Sequence, residues 1–214
     1  MIPRVVIERV DTPAGEMVLA RRGNEFSIRV RGVELMNSHS HASEDELGRL
    51  ACTLVRPGAA PRVLIGGLGL GYTLRAMLDG CTAALDVVEL VPAVVRWART
   101  ITADLSGRAL DDPRVTMIED DVAKVIARSP ARYVAIVLDV DNGPDELFEP
   151  NAKLYKRNGL AAARRALVPG GSLVVWSSFE SPTFSRWLRE VGFVVEVVRH
   201  TAQGARNFIW LARS

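Results

Sequence analysis

The sequence predicts an α/β protein: a doubly wound, mostly parallel sheet behind a small N-terminal β region. From residue 61 onward, unbroken apolar strands alternate with amphipathic helices, as a parallel sheet covered on both faces demands. The first such strand, RVLIGG, runs through a glycine-rich turn into a helix, and the next three, LDVVEL, VTMIED and YVAIVLDV, end on or beside acids. Right-handed crossovers between these units give a Rossmann-like sheet. Two closing strands, FVVEVVRH and NFIWLAR, flank residues 201–206 and read as an antiparallel hairpin on the sheet edge.

Residues 3–36 read as a β-hairpin or meander. VVIERV, EMVLARR and FSIRV are rich in β-branched and apolar residues, and the turn formers Pro13–Ala14–Gly15 and Gly23–Asn24 separate them. A unit this small is expected to pack on the larger sheet domain. At residue 43 the period changes. Ser43 and Glu46 match a capping box, Leu47, Leu50, Ala51 and Leu54 share a helical face, and Arg56-Pro57-Gly58 is expected to end the helix. The division is therefore drawn at 1–42 for the β region and 43–214 for the sheet domain. Within the latter the expected helices are YTLRAMLDG, PAVVRWARTITADL, VAKVIARS, LAAARRAL and SPTFSRWLREVG. Pro169-Gly170-Gly171 is read as the turn between LAAARRAL and the strand SLVVWSS.

The chain has 214 residues, 48% apolar and 24% charged, which suits a globular domain and excludes a disordered one. No apolar run approaches the ~20 residues of a membrane-spanning helix, so no membrane role is expected. Arg4, Glu8 and Arg9 interrupt the start where a signal peptide would be apolar. Cys52 and Cys81, without a CxxC, make neither a disulfide framework nor a zinc knuckle, and a reducing, cytoplasmic setting is expected. Net charge is +2 and the arginines are scattered rather than striped, which argues against nucleic acid as a partner.

The chemistry gathers at the C-terminal ends of the first four parallel strands. Gly67, Gly69 and Gly71 form a GxGxG turn before a helix, where bare backbone lets a ligand approach N–H groups at the positive end of a helix. The spacing fits neither a dinucleotide GxGxxG nor a P-loop. Glu89, 18 residues after Gly71, ends the second strand, where a carboxylate can accept both ribose hydroxyls of an adenosine ligand. Asp121, preceded by Asp120, ends the third and is placed to accept from an adenine amine. On the fourth, Asp139 and Asp141 leave an apolar strand, and a carboxylate there can act as a general base or hold a cation. A DxD metal site is the alternative at that pair, and a helix-capping loop is the plain reading of Asp141. His39, His41 and His200 show no metal-ligand spacing, and no metal is expected. Of the four tryptophans, Trp176 alone ends a strand at the ligand edge and is expected to wall the pocket.

VLIGGLGLG, VVEL, DDV and LDVDNGPDELF…LY…LVPGG together resemble the spermidine synthase family of polyamine aminopropyltransferases, which shares the fold of S-adenosylmethionine-dependent methyltransferases. That family reads GGGDGG, an acidic strand end, GD, and DSSDPxGPxxxLFxxxFY before a PGG turn. The resemblance implies a transferase whose donor is S-adenosylmethionine or its decarboxylated form. Gly67 and Gly69 lie under the methionine-derived part, Glu89 holds the ribose and Asp121 the adenine. Asp139 is the implied base, Asp141 the partner of the acceptor cation, and Gly143-Pro144, Leu147-Phe148 and Tyr155 form the acceptor gate. The acceptor is a small amine. The family's N-terminal strands mediate its association, which leaves a homodimer open.

The departures are specific. Gly69 replaces the loop aspartate that pairs with an aminopropyl ammonium, and DVDNGP is two residues shorter than DSSDPxGP. Ser43-Glu44-Asp45-Glu46 stands where the family has Tyr-His-Glu, and Asn37 is the nearest amide to its glutamine. Bare backbone at Gly69 suits the α-carboxylate of intact S-adenosylmethionine. Aminopropyl transfer to an amine is therefore the leading expectation, methyl transfer to a small molecule the second, and a nucleoside-binding protein without activity the third.

Overall fold

The computed structural model of the chain describes residues 2–55, 60–140, 143–144, 149–202 and 204–214. The N-terminal region is a four-stranded antiparallel meander of β1 (Val5–Thr12), β2 (Gly15–Arg22), β3 (Glu25–Val30) and β4 (Val33–Asn37), in that spatial order. The first turn is closed by Thr12, whose hydroxyl accepts from the Ala14 N–H (3.1 Å) and donates to the Gly15 carbonyl (2.8 Å).

Helix α1 (Ala42–Leu54) leads to the large sheet. The expected capping box is not made. The N-cap is His41, its ring stacked on Tyr72 with centroids 3.9 Å apart, and Ser43 lies inside the first turn with its hydroxyl donating to Glu44. Arg56-Pro57-Gly58 lies outside the described residues, and α1 ends at Leu54.

The large sheet is built from β5 (Arg62–Gly66), β6 (Ala84–Glu89), β7 (Val115–Glu119), β8 (Tyr133–Leu138), β9 (Leu167–Ser177), β10 (Val194–Ala202) and β11 (Ala205–Arg213). Its order is β10-β11-β9-β8-β5-β6-β7. Strands β5 to β9 run parallel, and the hairpin β10–β11 adds antiparallel to β9 at one edge, as its sequence predicts. The helices between them are α2 (Tyr72–Gly80), α3 (Pro92–Arg99), α4 (Val122–Ala127), α5 (Glu149–Tyr155), α6 (Arg157–Ala166) and α7 (Pro182–Glu190). From β5 the chain winds outward through β6 and β7, then returns to place β8 on the other side of β5. Ligands bind at such a switch point, outside the carboxyl ends of the strands, and here it lies between the ends of β5 and β8.

The period of two along the central strands divides the apolar residues between two cores. Val63, Ile65 and Val137 face one layer, while Leu64, Ile136 and Leu138 face the other. The first layer also takes in Met17, Leu19, Ile28 and Val30, so the meander shares a continuous core with the large sheet.

Three elements differ from expectation. PAVVRWARTITADL does not form one helix: α3 stops at Arg99, and after the β-branched run Thr100-Ile101-Thr102 only a short 3₁₀ turn, Ala103–Ser106, comes next. Pro169-Gly170-Gly171 lies inside β9, where the pairing with β8 is irregular between Tyr133 and Ala135. Residues 149–155, not among the expected helices, form α5.

Strand β6, which carries Glu89 at its end, is anchored by Asp86, a fully buried acid. Its carboxylate accepts from Arg62, from Arg132 (3.3 Å) and from the Tyr133 hydroxyl (3.2 Å). Removing this hub strands the buried phenol and two guanidinium groups. Asp86→Ala is expected to lower unfolding stability by about 3 kcal/mol in urea titration; a change within ~0.5 kcal/mol would mean that the hub holds nothing.

Candidate active site

A crevice opens at the switch point, floored by the strand ends and roofed by the N-terminal meander. The glycine turn forms its base. Gly67 adopts φ +90°, and a Cβ there would lie 2.1 Å from the Asp139 carbonyl oxygen, so only glycine lets the turn cross the end of β8. Gly69 (φ +52°) lies under Met36 of β4, whose sulfur would sit 2.4 Å from an added Cβ. Gly71 is the left-handed N-cap of α2. At 67 and 69 the absent side chains thus make room for protein atoms, and both glycines line the crevice.

Glu89 reaches back from the end of β6 into the turn. One oxygen accepts from the Leu68 N–H (3.0 Å) and the other from the Val91 N–H (2.9 Å). Its carboxyl group lies deep among protein atoms, and that burial pushes its pKa up against the pull of these N–H groups. Asp121 lines the same wall and also caps α4, accepting from the Ala123 N–H at 2.8 Å. Asp120 lies beside it, engaged with Arg128 (2.6 Å), which holds its pKa down.

Asp139 comes directly after β8. Its carboxyl accepts from the Thr73 hydroxyl of α2 (2.7 Å), and burial together with the neighbouring Glu44 raises its pKa to about 7. Glu44 is an acid that sequence reasoning passed over as a candidate. It sits in the first turn of α1, buried, accepts from the Ser43 hydroxyl (2.5 Å), and has its own pKa raised chiefly by desolvation. The Thr73 hydroxyl also lies 3.4 Å from the Glu44 carbonyl, so one side chain of α2 ties the two acids' segments together. The signal was in the sequence: Glu44 lies three residues before Leu47 and seven before Ala51, on the apolar face of α1.

Asp141 and Leu147-Phe148 lie outside the described residues. Tyr155 is buried with its hydroxyl donating to the Val140 carbonyl (3.0 Å), so it steadies the chain just after Asp139. The Asn37 side chain caps the turn after β4, accepting from the His39 and Ser40 N–H groups. Trp176 does wall the crevice, and its indole N–H has no partner among the described residues.

Five carboxylates line this crevice (Glu44, Glu89, Asp120, Asp121 and Asp139), and no basic side chain does among the described residues. The remaining walls are apolar, from Ile28, Leu35 and Met36 above to Val91, Val122 and Val140 below. Such a cavity favours a ligand with an apolar body and positive charge.

No family model matches the chain. A polyamine aminopropyltransferase of Mycobacterium tuberculosis is 32% identical over 195 residues, covering 84% of this chain and 35% of the relative. A putrescine N-methyltransferase of Nicotiana tabacum is 31% identical over 152 residues, covering 70% of this chain and 40% of the relative. The chain spans about a third of the length of the first of these and two fifths of the second. Among solved structures, spermidine synthase from Thermotoga maritima superposes with a TM-score of 0.77 at 19% identity, over 97% of this chain and 72% of that one. A spermidine synthase in complex with the transition-state analogue AdoDATO gives 0.75 at 18% identity, again over 97% and 72%. The Rossmann-like fold with its N-terminal antiparallel sheet is that of these proteins.

The Asp139 shift fixes the sign of a pH dependence. Its folded pKa, about 7, lies above the ordinary value of 3.8, so the native state holds a proton the unfolded chain has lost. Stability of the ligand-free protein should fall as pH rises from about 4 to about 7 and then level off; Glu44 acts in the same direction. Asp139→Asn is expected to raise the thermal midpoint at pH 8 and leave it unchanged near pH 4. Equal effects at both pH values would show that the carboxyl is not desolvated.

Proposed function

From a chain that is spermidine synthase-like in sequence and in fold, we propose a transferase that moves the aminopropyl group of decarboxylated S-adenosylmethionine to a small amine. The observation that carries this reading is the all-acid crevice, in which a sulfonium donor and an ammonium acceptor both find complementary charge. Glu89 takes the ribose hydroxyls, Asp121 the adenine amine, and the main chain of residues 67–71 lies along the donor's sulfonium side. The acceptor enters between Asp139 and Glu44.

A sulfonium leaves readily, so the protein has two tasks: to align the nucleophile and to deprotonate it. An acceptor amine is protonated at neutral pH, with a pKa of roughly 10. As the cation enters, its charge favours ionised Asp139 over the protonated form that burial imposes. Asp139 then accepts the amine proton. The nitrogen lone pair bonds to the carbon next to sulfur, and the carbon–sulfur pair stays on sulfur as a neutral thioether. Glu44 holds the remaining positive charge of the acceptor, the role its sequence assigned to Asp141.

Methyl transfer from intact S-adenosylmethionine to an amine is a second reading, supported by Gly69. Where the family has a loop aspartate, this chain offers no carboxylate to pair with an aminopropyl ammonium. The likeness to a putrescine N-methyltransferase supports it as well.

Calorimetry with the two donors separates the readings. Tighter binding of decarboxylated S-adenosylmethionine by at least tenfold, ~1.4 kcal/mol, is expected, and the reverse preference would hand the site to methyl transfer. Asp139→Asn should cut turnover by roughly a hundredfold or more while donor affinity stays within about threefold. Glu44→Gln should act mainly through KM for the amine. With kcat/KM expected to rise through pH 7, a flat profile together with an active Asp139→Asn variant would remove Asp139 from the chemistry.

A further inference from the structure

The chain's only two cysteines, 29 positions apart in sequence, meet on the seam between α1 and α2. Cys52 lies in the last turn of α1 and Cys81 is the C-cap of α2. Both sulfurs lie against one acceptor, the Met77 carbonyl, at 3.6 Å and 3.3 Å, which gathers the two thiols around a single atom. Gly80 makes the approach possible. A Cβ there would lie 2.8 Å from the Cys52 sulfur and 3.1 Å from its Cβ, so a side chain at that position would displace the thiol. Both thiols are free and partly exposed, which gives a small oxidant access.

The surroundings distinguish the two sulfurs. Arg114 donates to the carbonyls of Cys81 (2.8 Å) and Leu78 (3.1 Å), which brings its guanidinium beside the end of α2. The neighbouring Cys52 thiol, then the Ala83 N–H and last this guanidinium lower the Cys81 pKa, while Cys52 is raised by Cys81 and by burial. Asp112 and Asp79 also face Arg114, and Asp112 is bound to it at 2.9 Å.

We propose that Cys52 and Cys81 are a redox modification site, oxidised to an intramolecular disulfide that staples the C-terminal end of α1 to that of α2. With a low-molecular-weight disulfide as oxidant, the Cys81 thiolate attacks one sulfur and releases one thiolate, leaving a mixed disulfide. Cys52 gives up its proton and attacks the Cys81 sulfur, releasing the second small thiol. Two electrons pass from the protein's thiols to the oxidant, and the two protein protons leave on two small thiols. The staple closes the far ends of the two helices whose near ends carry Glu44 and Thr73, eight residues away in each case. The redox state of the seam therefore sets how firmly the helix ends carrying Glu44 and Thr73 are held together.

The test uses the full chain and oxidised glutathione, read by intact mass and by peptide mapping of the unreduced protein. The folded protein is expected to lose the mass of two hydrogen atoms and to yield one peptide linking Cys52 to Cys81. It should do so at least about tenfold faster than the same chain in urea, because folding holds the sulfurs together. Cys52→Ser should stop at a single glutathione adduct on Cys81, while Cys81→Ser should react more slowly. Gly80→Ala should slow ring closure while leaving the adduct on Cys81. Two stable adducts on the folded wild type, no reaction, or equal rates in urea would overturn the assignment. None of these readings depends on transferase activity.

Discussion

A carboxylate withdrawn from water needs hydrogen bonds or countercharge, and the carboxyl of Asp139 has a single hydrogen bond, from Thr73, among the described residues. The rest of the site is arranged around that deficit. Gly67 crosses the end of β8 so closely that no side chain fits, and Asp139 is half-buried beside the turn. Helix α1 then adds a buried acid, Glu44, rather than a base. Two carboxyl groups in one corner cannot both ionise cheaply, and the pKa values of both are raised.

The acids of the crevice divide by the number of their partners. Glu89 receives backbone N–H groups at both oxygens, and its orientation is fixed before any ligand binds. Asp121 spends one oxygen on the start of α4, and Asp120 is neutralised by Arg128. These groups are suited to holding a donor in one place, which requires geometry and no proton transfer. Asp139 and Glu44 stand on the opposite side of the glycine turn, each accepting from one side-chain hydroxyl, and burial raises their pKa values as it does that of Glu89. Both sets of acids open on one crevice because parallel strands all deliver their C-terminal ends to one edge.

The legible part of the sequence is set by the period of its apolar residues. Strands such as VLIG and YVAIVL are buried on both faces, and their acids emerge at one edge by necessity, so Glu89, Asp121 and Asp139 could be placed without coordinates. Less legible was anything settled by packing between distant segments. The meander's Met36 meets Gly69 across 33 residues of sequence, and no local pattern announces that contact. Glu44 was overlooked because an acid in the first turn of a helix reads as dipole compensation. Its position on the Leu47–Ala51 face was the contrary signal. Pro169-Gly170-Gly171 misled for a related reason: turn-forming residues are also tolerated where a strand is irregularly paired.

The meander turns an open sheet edge into an enclosed site. Its inward residues Met17, Leu19, Ile28 and Val30 share a core with the large sheet, so it is fastened by the same apolar burial that holds the strands. That attachment brings Ile28, Leu35 and Met36 over the crevice as an apolar roof. An apolar roof lowers the local dielectric and so strengthens every charge interaction beneath it. The pKa of Asp139 therefore depends on residues more than a hundred positions earlier in the chain. A polar replacement at Met36 would set a polar group against Gly69 and into the apolar roof over the crevice, so one residue of the meander bears on both the turn and the cover.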